Sequence, residues 1–253
     1  MRSLSPMLAL LLGFPAALAA QSAPAHPTMT MSDSMQMSGM ADHAMDGSMD
    51  MNMMKHMYLS PVRTPTHADS VRAMKVAMEL KRAIAKYQDT AAAVADGYRM
   101  FAPGVKNQRV YHFTNYRHAF GAAFRFDPAK PTSILYTRDA QGTFHLVGAM
   151  YTMPKRVSLD KLDERVPLSI ARWHRHVNWC VPKKGEARRF TERKNGAPLF
   201  GPESPIATKQ ACEDVGGRFL ADPLGWMVHA NVFEGDDLGT IWGDTEHGHM
   251  HMQ

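Results

Sequence analysis

Residues 173–180 read WHRHVNWC, and how this run is folded decides the architecture of the chain. Read as a β-strand, it alternates its side chains between two faces. Trp173, Arg175, Val177 and Trp179 then share one side, and His174, His176, Asn178 and Cys180 share the other. The first side packs a core, while the second carries groups that coordinate metals. The run GWMVHANVF, residues 225–233, repeats the design, with Trp226, Val228, Ala230 and Val232 on one side and Met227, His229, Asn231 and Phe233 on the other. If the two strands are neighbours, His174, His176 and His229 converge, because directly opposed Cβ atoms lie about 5 Å apart.

Three imidazoles with an open position suit copper or zinc. His112, in the run YHFTNY, is a candidate fourth ligand. The competing reading keeps the same histidines neutral and hydrogen-bonded in a polar or apolar sheet face. Cys180 and Cys212 are the only cysteines. In an oxidising compartment they pair as a disulfide, and a thiolate ligand at Cys180 is the alternative.

The surrounding chain supports strands in an α+β arrangement. Residues 68–85 read as a helix with Asp69 or Ser70 as N-cap and with Val71, Met74, Met78 and Ala85 along a core-facing side. Asp89 or Thr90 opens a second helix that Gly97 ends. Residues 133–137 and 143–152 flank the turn DAQG as a hairpin. Ser158 caps a short helix, residues 168–181 and 226–233 form two further strands, and a helix bearing Cys212 ends at Gly216 and Gly217. Helices and hairpins without βαβ alternation predict one α+β domain over residues 58–243, built on an antiparallel sheet with N-terminal helices.

Outside that domain the composition changes. Residues 1–19 combine Arg2 with a short apolar run and a small-residue cleavage site, the pattern of a secretory signal peptide. The expected location is periplasmic or secreted, with no membrane insertion once the signal is removed. Formal net charge falls from +5 to +4 when Arg2 leaves with it. The basic residues are scattered except in a polar loop around residues 183–194, so the charge predicts no nucleic-acid partner. No phosphate-cradling loop, G-x-S-x-G elbow, H-E-x-x-H or C-x-x-C is present.

Residues 20–57 are rich in Ser, Asp, Gly and above all Met, with eleven of the 21 methionines between Met29 and Met57. Lacking any helical or strand period, the segment reads as disordered. Its methionines, Met29, Met31, Met35, Met37, Met40, Met45, Met49, Met51, Met53, Met54 and Met57, stand largely one or two residues apart, and His43 and His56 lie among them. Thioethers are soft and need lose no proton, so they select Cu(I). A linker, or a sink for oxidants, is the alternative. Residues 244–253 form a flexible tail in which His247, His249, Met250 and His251 are further candidate ligands.

The Met-x-Met and Met-x-x-Met units of residues 26–57 resemble the methionine-rich segments of periplasmic copper-resistance and copper-chaperone proteins. That resemblance implies Cu(I) handling and another exported copper protein as a partner. It does not extend to blue-copper domains, since no Cys, His and Met cluster of that kind occurs near the C-terminus. The runs WHRHVNWC and GWMVHANVF are similar to exported bacterial proteins without an assigned activity. The expected function is therefore capture of copper for buffering, delivery or resistance, with zinc as the alternative metal at the folded site. A copper or zinc enzyme centred on His174, His176 and His229 is the alternative function.

Overall fold

The computed structural model describes residues 55–105 and 108–243, and these form the expected α+β fold. A short strand, β1 (Met57–Leu59), leads to α1 (His67–Ile84). Thr66 caps that helix in a reciprocal capping box with Asp69, one turn before the cap read from the sequence. Its buried face is Ala73, Val76, Ala77, Leu80 and Ile84. Val71 and Met78, expected in the core, are 55% and 53% exposed. The small side chains of Ala73 and Ala77 let the helix lie close on the sheet, and the bulkier apolar residues beside them face outward.

Asp89 caps α2 (Thr90–Ala95), and Gly97 leaves it with φ +90°, a conformation that glycine adopts without strain. Strands β2 (Arg99–Met100) and β3 (Tyr111–Thr114) come next, followed by α3 (Tyr116–Ala122), which Asn115 caps. The hairpin of β4 (Ser133–Arg138) and β5 (Phe144–Met153) is as expected, as is the helix α4 (Leu159–Asp163) capped by Ser158. The expected strand over residues 168–181 is instead two pieces, β6 (His174–His176) and β7 (Trp179–Val181). Between them Asn178 takes φ +57°, which an Asn tolerates better than most residues.

At that kink the chain changes sheets. Two minor strands, β8 (Arg193–Lys194) and β9 (Ala197–Pro198), pair with each other. After α5 (Lys209–Asp214), strand β10 (Arg218–Leu220) pairs with β7. The Cys180–Cys212 disulfide joins β7 to α5 and packs with Phe200 in a small separate core. Strand β11 (Trp226–Ala230) and α6 (Leu238–Trp242) complete the described chain.

The main sheet is antiparallel throughout, in the order β1-β6-β11-β5-β4-β3-β2. One face carries the large core, in which Trp173, Trp226, Val228, Tyr136 and Tyr151 meet Leu80 and Ile84 of α1. Trp179, expected on that same face, lies beyond the kink and packs on the His176 ring at 4.8 Å between centroids. The opposite face has a smaller floor of Leu135, Val147, Met150 and Met227. A register shift at Leu135/Tyr136 bends the sheet here. Gly148 lies across from it, where a Cβ would run into the Ala230 carbonyl. Among the described residues no helix is long and apolar enough to cross a membrane.

Candidate metal centre

The histidines picked out from the two sequence runs lie on that opposite face. His174 is 2% and His229 7% exposed, and their ring centroids are 5.0 Å apart. His174 also meets His176 at 5.4 Å, and His229 meets His112 at 5.6 Å. His112 belongs to β3, three strand positions away from β11. In a flat sheet that separation is about 14 Å. Ring contact across it requires a concave face over which the imidazoles lean, consistent with the bend at Leu135/Tyr136.

The register adds a feature that the histidines alone do not reveal. Met227 is the partner of His174, Met57 the partner of His176, and Met150 the partner of His229. Directly opposed residues of an antiparallel pair share a face, with Cβ atoms about 5 Å apart. The face therefore carries three imidazole–thioether pairs. Strand alternation already sets Met227 beside His229 in sequence, but Met150 required knowledge of which strands are neighbours.

Burial keeps two of these rings, His112 and His176, in their ligating form. Burial pushes the His112 imidazolium down to about 4, a backbone hydrogen bond at Val110 offsetting part of the effect. His176 is held well below the ordinary value, first by burial and then by repulsion from His174, His112 and His56. A neutral imidazole keeps a lone pair for a metal.

The rings run in sequence from His112 through His229 and His174 to His176. Among the described residues, no group of three or more His, Cys, Asp or Glu side chains is set to hold one ion. Cys180 is bonded to Cys212 and is not a ligand.

His56, read from sequence as part of the disordered arm, is 2% exposed within the fold. Its Nε2 donates to the Ser204 carbonyl at 2.5 Å. Its own carbonyl accepts from Val177 N at 2.8 Å, so this residue fastens the entry of β1 to the kink after β6. Met57 likewise belongs to the sheet, and the folded domain thus starts before residue 58. The expected signal peptide, the rest of the methionine-rich segment with His43, and the tail with His247, His249, Met250 and His251 lie outside the described residues.

The other face of β6 holds the site strands together. The Arg175 guanidinium lies against both the Tyr58 and the Trp226 ring, at 4.9 and 4.8 Å, and donates to Asp222 at 2.8 Å. One residue thereby ties β1, β6 and β11, the three strands that carry His174, His176, His229, Met57 and Met227. The chain matches no protein-family model, no curated protein and no solved structure.

Proposed function

We propose that this chain is an exported copper-binding protein. Its methionine-rich segment and His/Met tail capture Cu(I), and the concave face of its folded domain holds copper between imidazole and thioether groups. The role is buffering, delivery or resistance, and the expected partner is another exported copper protein. The observation that carries the reading is the pairing of His174 with Met227, His176 with Met57 and His229 with Met150 on one face.

Thioethers rank low as ligands for zinc and other harder ions but suit Cu(I), and imidazole nitrogens beside them are compatible with it. Cu(I) has a filled d shell and accepts low coordination numbers, so a His/Met pair serves it without a third His, Cys, Asp or Glu. The dense methionines from Met29 to Met54 offer the same donor chemistry in the preceding segment. An enzyme built on these histidines would have to admit a substrate, and the burial of His174 and His229 favours holding an ion over turning one over.

Elemental analysis of the protein purified from its own compartment tests the reading. Copper above zinc is the expected result. Zinc alone, or no metal in a folded preparation, would count against it.

A further inference from the structure

A second site lies in a different part of the fold. A cleft of about 290 Å³ opens between α3, the loop after it, β5 and the end of α4. Its walls include Arg117, Arg125, Lys130 and Arg165, with His118 beside them. The one carboxylate in the lining, Asp127, is already engaged, with Oδ2 3.1 Å from Lys130 Nζ and Oδ1 accepting from Ala129 N at 3.0 Å. The cleft therefore keeps an excess of positive charge.

Arg165 is the decisive residue. It is 8% exposed, and its Nη1 is buried without a hydrogen-bond partner. Its guanidinium lies over the Phe126 ring at 5.6 Å, which orients the fork but satisfies none of its N–H groups. The acidic residues just before it are used elsewhere: Glu164 holds Lys161, and Asp163 holds Arg72 and Arg63. Packing alone explains a buried arginine poorly, because a buried guanidinium that lacks an acceptor costs free energy. A planar fork with flanking cations is a geometry that receives oxyanions.

We propose that this cleft binds a phosphate-type oxyanion, with Arg165 as the buried anchor and Arg117 and Arg125 as the outer clamp. The oxyanion is either free or the headgroup of a lipid. The second source is raised by Phe120 and Phe124 next to the cleft, 72% and 76% exposed, whose rings meet at 5.3 Å.

The test is calorimetric titration of the full mature protein with inorganic phosphate at constant ionic strength, with chloride as reference. Co-sedimentation with phosphatidylcholine vesicles, with and without phosphatidylglycerol, runs alongside. Saturable phosphate binding that weakens at least tenfold in Arg165→Gln is expected. Arg117→Gln with Arg125→Gln changes only exposed side chains, and should weaken binding similarly even if the Arg165 variant does not fold. Phosphate binding without vesicle binding assigns a free oxyanion. Vesicle binding that requires phosphatidylglycerol, Phe120 and Phe124, and that the arginine variants lose, assigns a headgroup. Binding to neither, or binding unchanged in the double arginine variant, overturns the proposal.

Discussion

His174 and Met227 face each other as register partners of β6 and β11, and the His174 ring also contacts His229, two residues beyond Met227 on the same strand. An imidazole thus has a thioether directly opposite and a second imidazole on the diagonal, all on a buried face. This small unit is the structural core of the copper reading, and its neighbours His176 with Met57 and His229 with Met150 repeat it.

The disulfide between Cys180 and Cys212 closes a loop of 32 residues and sits in a core of few other side chains. Constraint of the unfolded chain by such a loop stabilises by about 3–4 kcal/mol. Cys212→Ser should lower the unfolding free energy in urea by that order, and a reductant should then have no further effect on the variant. Gly217 bears on the same bridge, because a Cβ there would lie 2.6 Å from Cys180 Sγ and 2.7 Å from Cys212 Sγ. Gly217→Ala is expected to destabilise the oxidised protein. Equal urea midpoints for wild type and Cys212→Ser would show that the bridge contributes little.

Thr66 and Asp69 together start α1, and Thr66→Ala should cost about 1 kcal/mol. Asp69 supplies a pH signature. The Thr66 hydroxyl and then Arg72 hold its carboxyl below the ordinary value. A lowered folded value means that the unfolded chain binds the proton more readily, so stability falls as pH falls. The contribution is present above the ordinary carboxylate range and is lost as pH drops through the lowered value. Urea midpoints from about pH 5 to about pH 2 should therefore fall less steeply in Thr66→Ala than in wild type. Parallel curves would remove Thr66 as the cause.

Much of this fold is legible where local chemistry is decisive. Asp89, Ser158 and Gly97 mark helix ends, DAQG marks the hairpin, and two cysteines leave one intramolecular pairing. Legibility fails where tertiary structure sets the outcome. The core-facing side of α1 is obscured in the sequence because Ala73 and Ala77 give a weak hydrophobic signal beside Val71 and Met78. The strand after Trp173 breaks at a positive φ that Asn178 permits but does not dictate. Strand β1 is hidden in a methionine-rich composition and is held as an edge strand by its pairing to β6. His174, His176 and His229 stood out by alternation, whereas Met150 gains meaning only from strand order.

The methionine-rich segment is testable by itself. A peptide of residues 26–57 should bind Cu(I) against a competing chelator, since its clustered thioethers need no deprotonation. Replacing its eleven methionines with Leu should abolish that binding. Equal affinity in the Leu version would remove the thioethers from the account.

The central claim concerns the folded face, and it is measured most directly with the thioethers of the methionine-rich segment and the tail ligands silenced in the full chain. Methionines 29 to 54 become Leu, and His247, His249, Met250, His251 and Met252 become Ala, leaving Met57 and the sheet intact. Cu(I) is then titrated against a chromogenic chelator, with and without His174→Ala and Met227→Leu, and circular dichroism verifies the fold of each protein. The account predicts Cu(I) retention in the silenced parent and weaker retention in the variant carrying both face substitutions, which keeps only the His176/Met57 and His229/Met150 pairs. Equal retention by the two folded proteins, or none in the parent, would contradict it.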